Sequence, residues 1–253
     1  EGYDVVVAFG GDGTVNEAAN GLAGRDTPLT CLPGGSTNVF CRLLGIPNDV
    51  VDATEHLLRM ADHFEPHSVD TGLMNGRHFT FASGIGLDAS VVERVDRHPK
   101  LKARLGEYFF TYAALASFNR KYLVNPPRLR LEVGGRSLEG VTMVVQNADP
   151  FTYFGNRPIR IAEGATMDGG TLSLAVLKKA TPLEMPTLIP RIFTARSSAV
   201  LGHRQIEGFK EQRRFRVERA GDRALPVEVD GDYMGEFDDV EYGIAPRSLR
   251  VVA

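Results

Sequence analysis

Apolar and polar residues over the first sixty positions follow the order of an α/β unit. A buried-type apolar strand is predicted over Asp4 to Phe9 and a second over Thr30 to Leu32, and each is followed by a glycine-rich turn. A helix is predicted from about Thr14 to Leu22, and one or two helices run from the second turn to about Ala61. Two strands are too few for a doubly wound sheet. Because Glu1 also stands where an initiator methionine would, we expect a further segment to precede this sequence.

The pattern changes after His67 to short alternating segments, which are typical of an antiparallel sandwich or barrel. Two helical stretches interrupt them, Lys102 to Arg120 and Leu183 to Ala199. The sequence therefore predicts an α/β plus all-β protein, with a partial Rossmann-like nucleotide domain over residues 1–66 and an antiparallel β-sandwich domain over residues 67–253. The strands predicted in the second part are Phe79 to Ser83, Arg128 to Val133, Val141 to Gln146, Ile159 to Ala162, Thr171 to Leu177, Phe215 to Arg219, Val227 to Val229 and Leu249 to Val252.

The composition narrows the classes of partner. With 43% hydrophobic and 24% charged residues the chain is an ordinary globular protein, and its net charge of -3 gives no general attraction for nucleic acid. No apolar run reaches the roughly 18 residues that a membrane-spanning helix needs. The two cysteines, Cys31 and Cys41, suggest no disulfide framework, so we expect a reducing cytoplasm. His56, His63 and His67 lie in a polar stretch, and we interpret them as solvated residues rather than as a zinc site.

The first glycine-rich turn is formed by Gly10, Gly11, Asp12, Gly13 and Thr14. Because it follows a strand and opens a helix, its backbone N–H groups can converge on an anion at the helix N-terminus. The glycines permit close approach of a phosphoryl group, and Asp12 adds a carboxylate that suits Mg²⁺ bound to phosphates. A plain Asp-Gly turn with Thr14 as N-cap is the alternative. The position between an apolar strand and a helix favours phosphate binding.

The second glycine-rich turn also lies between a strand and a helix. It includes Gly35, Ser36, Thr37 and Asn38, which offer an open backbone, two hydroxyl groups and an amide. By the logic of parallel strands both turns leave the same edge of the sheet and form one crevice. The alternative is an ordinary helix N-cap, and the presence of two such turns favours a nucleotide site.

Both turns resemble the catalytic domain of the diacylglycerol kinase and sphingosine kinase superfamily, through GGDGTVNE over Gly10 to Glu17 and PGGSTNVFCRLLGIP over Pro33 to Pro47. The sequence is most similar to the soluble bacterial lipid kinases. GGDGT alone also occurs in NAD kinases and phosphofructokinases, whereas the ordered set of motifs is much more specific. The other motifs of the set are VDTG, GIGLD, MDGGTL and VDGD, which begin at Val69, Gly84, Met167 and Val229.

This resemblance implies an ATP-dependent kinase that phosphorylates a lipid hydroxyl group, with diacylglycerol as the expected acceptor. ATP and the lipid are expected to meet between the two domains. By the family pattern, Gly11 to Glu17 and Ser36 contact ATP, and Asp12 organises the catalytic Mg²⁺. A second, structural Mg²⁺ is expected in one turn, at Asp168 and the backbone carbonyl groups near Ala165 and Gly170.

The catalytic base and two further positions depart from the family pattern. A lipid hydroxyl has a pKa far above 7, so a carboxylate must accept its proton. The family has a Glu for this role in a DGE motif, whereas Asp232 stands there in this sequence and Asp230 is its rival. Val39 occupies the position after the Asn where the family usually has an acidic residue. The family's Asn-Pro-x-Ser-Gly phosphate loop is absent from the sequence, which agrees with a missing N-terminal segment.

Two other functions stay open, an NAD kinase-like enzyme and a non-catalytic regulator that binds nucleotide or lipid. Asn16 and Glu17 follow GGDGT directly, whereas NAD kinases have this pair well downstream. The expected partners are ATP and a membrane lipid with a free hydroxyl group, reached by peripheral contact from the cytoplasm, with a homodimer as an open possibility. Lys100, Lys102 and Arg104 precede the aromatic-rich helix and suit either an anionic bilayer or a solvated helix start.

Overall fold

The computed structural model describes residues 3–61, 63–86, 89, 126–181 and 183–253. The predicted helix from Lys102 to Arg120, the basic residues before it, and Leu87 and Asp88 of the GIGLD motif lie outside this range. The first third contains β1 (Val6–Gly10), α1 (Asp12–Leu22), β2 (Leu29–Pro33), α2 (Val39–Leu43) and α3 (Val50–Met60).

Strands β1 and β2 are parallel neighbours, with Val6 opposite Leu29 and Gly10 opposite Pro33. Their carboxyl ends therefore reach the same edge of the sheet, and both glycine-rich turns start there. The predicted α/β order is confirmed, although α1 begins at Asp12, two residues before the predicted start.

The remaining elements are mostly short strands. In chain order they are β3 (His67–Met74), β4 (Arg77–Phe79), β5 (Ala82–Ile85), β6 (Leu129–Val133), β7 (Arg136–Gly140), β8 (Thr142–Gln146), β9 (Thr152–Phe154), β10 (Arg157–Ile159), β11 (Leu172–Leu177), α4 (Met185–Ile192), α5 (Ser197–Leu201), β12 (Ile206–Gln212), β13 (Arg214–Arg219), β14 (Leu225–Val229), β15 (Asp232–Phe237) and β16 (Asp239–Val251).

The described strands form two large sheets and one hairpin. One sheet has the order β1-β2-β16-β13-β6-β7, with β3 paired to β16 and β4 to β3, and the other has the order β12-β11-β8-β5-β14-β15. The long final strand β16 belongs to both parts of the chain, because Val251 pairs in parallel with Leu29 while Tyr242 pairs with Phe215 of β13. The α/β part and the sandwich therefore share one continuous sheet.

An apolar core fills the space between the two sheets. It is built from inward-facing apolar residues of both, including Leu131, Val217 and Tyr242 from one sheet and Met143 and Val227 from the other. Alternate residues of β6 and β13 face this core while their neighbours face solvent, as expected for strands with one buried face. The predicted combination of a mixed α/β unit and an antiparallel sheet domain is confirmed.

Two predicted strands differ from the structure for local reasons. The run from Phe79 to Ser83 is divided between β4 and β5, because the backbone N–H groups of Thr80 and Phe81 turn toward the side chain of Asp230. The strand predicted over Ile159 to Ala162 is wrong, since β10 ends at Ile159 and the Ala162 N–H donates to Gln146 Oε1.

The single helix predicted from Leu183 to Ala199 is also divided. Helix α4 ends at Ile192 and α5 begins at Ser197, with Ala195 in the left-handed region at φ 58° between them. The backbone N–H and the hydroxyl of Thr194 both donate to the Arg191 carbonyl oxygen, at 3.1 and 2.7 Å, and so satisfy an acceptor at the helix end.

Candidate active site

The two glycine-rich turns are in direct backbone contact. The Gly34 N–H donates to the Gly10 carbonyl oxygen at 2.9 Å. A Cβ atom added to Gly35 would lie 2.6 Å from the Cα of Gly11, and one added to Gly34 would lie 3.0 Å from the Cα of Gly10. Only glycine permits this approach, so the predicted adjacency of the two turns is confirmed.

Asn38 holds the second turn in place. Its backbone is left-handed at φ 49°, its Oδ1 accepts from the Gly35 N–H at 2.8 Å, and its Nδ2 donates to Asn48 Oδ1 at 2.9 Å. Ser36 is exposed and Thr37 half-buried, with 3.4 Å between their hydroxyl oxygens. The amide of Asn38 is therefore used inside the protein, while the hydroxyl groups of the turn remain at the surface, where a phosphate could reach them.

Asp12 occupies the first turn of α1, beside the second glycine-rich turn. Its Oδ1 accepts from the Phe40 N–H at 3.1 Å. Burial raises the pKa of Asp12 to about 6, and the carboxylates of Asp230 and Asp232 add to the rise, while backbone N–H groups of Phe40 and Val39 act in the opposite direction. Three carboxyl groups therefore converge near the N-terminus of α1 and create an excess of negative charge.

Asp230 is fully buried and accepts five hydrogen bonds. Its Oδ2 accepts from Asn16 Nδ2 at 2.8 Å, the Thr80 N–H at 2.6 Å and the Thr80 hydroxyl at 2.8 Å. Its Oδ1 accepts from the N–H groups of Phe81 at 3.0 Å and Ala82 at 3.1 Å. Burial raises the pKa of Asp230, and the donated hydrogen bonds act against that rise. This carboxylate fastens α1 and the β4–β5 junction to the sandwich.

Asp232 lies two residues further on but faces the crevice. Asp230 and Gly231, at φ 48° and 84°, form the two-residue turn of the β14–β15 hairpin, which has the positive φ angles of a type I′ turn. The Asp232 carboxyl group lies against Gly13, where an added Cβ would come within 2.8 Å of its Cγ. The hairpin therefore places a carboxylate from the sandwich at the N-terminus of α1.

Two other residues that were predicted to bind ATP, Thr14 and Glu17, differ in their surroundings. The side chain of Thr14 covers Gly10, where an added Cβ would clash with it. Glu17 is exposed and forms an ion pair with Arg77, at 2.6 Å from Nη2 to Oε1. Asn16 lies within the range expected to contact ATP, but its contact with Asp230 was missed, although a polar residue beside Val15 on the buried face of α1 was a signal.

The second predicted metal site is a single turn. Ala165 is buried and Asp168 is exposed, and the Gly170 N–H donates to Asp70 Oδ2 at 2.6 Å. Asp70 also accepts from the Arg247 N–H at 2.7 Å, so its carboxylate already fastens this turn to β16. Asp168 supplies the one carboxylate that the turn itself can offer, and a second Mg²⁺ here stays a prediction.

The residues of the crevice fit a nucleotide with Mg²⁺. In the described part of the chain no group of three or more His, Cys, Asp or Glu side chains is arranged to hold a metal ion by itself. Mg²⁺ in kinases is usually held by one or two carboxylates together with substrate phosphates, and Asp12 beside the paired glycine turns offers that combination. Burial is the main cause of the raised pKa of Asp12, and a cation bound beside this carboxylate would favour its ionised form.

Two family models match the chain, one on each part. The diacylglycerol kinase catalytic domain matches residues 1–69, and the YegS C-terminal NAD kinase beta sandwich-like domain matches residues 82–253. An α/β unit with paired glycine turns, joined to a β-sandwich that contributes a carboxylate, defines the class of protein. The chain belongs to the family that these two domains describe, the diacylglycerol kinase family of the soluble bacterial type.

Curated relatives and solved structures agree with this assignment. The chain is 27% identical to the uncharacterized protein sll0036 of Synechocystis over 100% of its length and 55% of the relative's. It is 29% identical to the diacylglycerol kinase of Bacillus subtilis over 72% of its length and 57% of the relative's. It is 28% identical to the diacylglycerol kinase of Staphylococcus aureus (strain JH9) over 94% of its length and 70% of the relative's. The chain thus spans little more than half the length of the first two.

The solved structures support the fold. A crystal structure of a diacylglycerol kinase from Bacillus anthracis superposes with a TM-score of 0.62 at 22% identity, over 98% of this chain and 76% of the other. A further structure from the same organism reaches a TM-score of 0.72 at 25% identity, with the same coverage. Within the part of the chain that the structure describes, every helix is too short or too polar to cross a bilayer.

Proposed function

We propose that this protein is an ATP-dependent lipid kinase that transfers the γ-phosphoryl group of ATP to a lipid hydroxyl group, with diacylglycerol as acceptor and phosphatidic acid as product. The observation that carries the proposal is the position of the Asp232 carboxyl group against Gly13, beside two glycine turns that are packed against each other at the start of α1. The names of the relatives, diacylglycerol kinases in two organisms, support the same activity.

The residues divide the work of phosphoryl transfer between the two parts of the chain. The backbone of Gly10 to Thr14 and of Gly35 to Thr37 binds the phosphates at the start of α1, where the helix dipole favours negative charge. Mg²⁺, when bound, neutralises charge on the transferring phosphoryl group. Asp12 would hold that ion together with the phosphates.

Asp232 is the proposed base. It reaches the phosphate crevice from the opposite side, and it would accept the proton of the lipid hydroxyl as that oxygen attacks the γ-phosphorus. Asp230 is the weaker candidate, because five hydrogen bonds already occupy its two oxygens. We assign Asp230 the positioning of the hairpin that carries Asp232.

The proposal extends to where the protein works. Diacylglycerol resides in membranes, so the crevice has to meet a bilayer surface by peripheral contact. Cys31 and Cys41 lie with their sulfur atoms 2.8 Å apart as free thiols, which suits the reducing cytoplasm that we propose as location. The division at residues 66 and 67 into a nucleotide part and a lipid part belongs to the same proposal, with β16 tying the two together.

The test is transfer of labelled γ-phosphate from ATP, with Mg²⁺, to diacylglycerol in mixed micelles. Sphingosine and NAD serve as competing acceptors, Asp12→Asn as the inactive variant, and Asp52→Asn, which changes an exposed carboxylate on α3, as the matched control. Label in phosphatidic acid with the control but not with Asp12→Asn supports the proposal. Label in the NAD product would make the protein an NAD kinase. No transfer to any acceptor, with ATP still bound, would leave a non-catalytic regulator.

A further inference from the structure

Helix α4 has an apolar outer face, which is unusual for a surface helix. Its inner face packs through Met185 and Leu188 into a small cluster with Val200. A helix of this kind is expected to present charged or polar residues to solvent. Instead an apolar stripe with helical spacing runs along the exposed side, formed by Leu183, Pro186, Ile189, Pro190 and Phe193.

The stripe continues onto the hairpin of β9 and β10. Phe154, at the end of β9, packs edge-to-face on Phe193, with 5.7 Å between the ring centroids. Both rings stay partly open to solvent, at 39% and 37% exposure, while Ile189 is 40% and Leu183 is 85% exposed. Contiguous exposed apolar surface of this kind marks a place where a protein meets a partner or a membrane. Together we call Phe154, Leu183, Pro186, Ile189, Pro190 and Phe193 the α4 stripe.

Positive charge surrounds the α4 stripe. Residues 151–160 and 178–206 contain seven Lys or Arg residues and one acidic residue, and Asp149 and Glu207 just outside these ranges form ion pairs with Arg160 and Lys178. The acidic residue, Glu184, is engaged by Arg204 and lies 3.5 Å from His203. Among the described residues, no carboxylate lies within ion-pair distance of four of these cations, Arg157, Lys179, Arg191 and Arg196. An apolar helix face with unpaired cations beside it is the pattern of an interfacial helix on anionic lipids.

The α4 stripe is linked to the nucleotide crevice through the hairpin. Arg42, which follows the second glycine turn in α2, donates from Nη1 to the Gly155 carbonyl oxygen at 2.9 Å. Its guanidinium group also lies 4.5 Å from the ring centroid of Tyr153. Gly155 and Tyr153 flank Phe154 in sequence. A surface bound through Phe154 would therefore hold the crevice close to the lipid.

We propose that the α4 stripe and its surrounding cations dock this protein on an anionic bilayer surface. The proposal rests on the proposed lipid kinase function for its purpose, but the docking itself requires neither ATP nor turnover. It assigns membrane contact to residues of the sandwich part that no catalytic role explains.

The experiment is co-sedimentation of the intact protein with phosphatidylcholine vesicles that contain or lack phosphatidylglycerol, without ATP. The double change Phe154→Ser and Phe193→Ser is expected to weaken partitioning by at least about tenfold, because one buried aromatic ring contributes about that factor. The double change Arg157→Gln and Arg196→Gln is expected to weaken partitioning about fivefold for each charge removed, and only on vesicles that contain the anionic lipid. Leu58→Ser, at a residue of α3 that is 67% exposed, is the matched control and leaves partitioning unchanged.

Activity then separates docking from catalysis. The stripe variants, checked for an unchanged melting temperature, should phosphorylate a dispersed short-chain diacylglycerol at the wild-type rate and a long-chain one in vesicles several-fold more slowly. Unchanged vesicle partitioning in the phenylalanine double variant would overturn the proposal. A stable dimer in light scattering that the same variant dissociates would also overturn it, since the stripe would then cover a second copy of the chain. Loss of all activity with intact vesicle binding would overturn the kinase function and leave the docking surface standing.

Discussion

The glycine turns of the α/β part and the β14–β15 turn of the sandwich build the same crevice by opposite means. The glycine turns hold their shape through backbone contacts between neighbouring segments, such as Gly34 with Gly10, and expose hydroxyl groups at their tips. The β14–β15 turn brings carboxylates, and Asp230 is held by donors that lie about 150 to 214 residues away in the sequence. The α/β part therefore supplies the backbone shape for phosphates together with Asp12, and the sandwich supplies the other two of the three carboxyl groups.

The two regions also differ in what the folded protein needs in order to hold their functional groups in place. A backbone cradle needs only glycine and a strand end, and its N–H groups carry no net charge. A buried carboxylate has to be satisfied at every oxygen before it can hold anything else in position. The structure satisfies Asp230 completely and leaves Asp232, two residues later, at the crevice. Substitutions at the three aspartates should therefore separate catalysis from stability.

The largest effect is expected at Asp12, where the two regions meet. Asp12→Asn should lower kcat for lipid phosphorylation by at least about 10³-fold, because the amide cannot hold Mg²⁺ against the phosphates. The melting temperature should not fall, since the change removes a charge that burial disfavours. Activity within tenfold of the wild type would remove Asp12 from the metal site.

Asp230→Asn should give the next effect, on stability. The new amide group would present its own N–H donors to the N–H groups that now donate to the carboxylate, so we expect a loss of about 3 kcal/mol in the free energy of unfolding. Urea denaturation measures it. Asp52→Asn, at an exposed carboxylate on α3, should change stability by less than about 0.5 kcal/mol. A loss as small as in that control would show that the five hydrogen bonds contribute little.

The same contrast explains what the sequence could predict. The glycine turns, α1 and the α/β order follow from local patterns, and each was predicted within a few residues. The division of Phe79 to Ser83 was not predictable, because its cause is a carboxylate at position 230. The structural role of Asp70 was not predicted either, because the N–H groups of Gly170 and Arg247 that donate to it lie far away in the sequence.

The length of the last strand, β16, was also not predictable from the sequence. The strand predicted over Leu249 to Val252 is the end of β16, which begins at Asp239 and is irregular between Ala245 and Leu249. That irregular stretch interrupts the alternation on which a strand prediction depends, and only the pairing with β3 and β13 shows that the element continues.

Asp232→Asn should show the reverse of Asp230→Asn. Because the Asp232 side chain is partly open at the crevice, we expect less than about 1 kcal/mol of lost stability and a fall in kcat of about 10²-fold, the usual contribution of a general base. The KM for ATP should stay near the wild-type value. The comparison would be inverted if Asp230→Asn, assayed well below its melting temperature, lost more in kcat than Asp232→Asn.

The smallest effect concerns the pH dependence of stability in the presence of a chelator. The pKa of Asp12 in the folded protein is about 6, above its ordinary value of 3.8, so ionisation disfavours the native state and its stability falls as the pH rises through 6. Asp12→Asn lacks this group, and its free energy of unfolding relative to the wild type should therefore rise by about 2 kcal/mol between pH 4 and pH 8. Urea denaturation of both proteins at the two pH values gives the difference, in which contributions from groups that do not interact with Asp12 cancel. A constant difference would mean that burial does not raise the pKa of Asp12, and that the first glycine turn is more open to water than its geometry indicates.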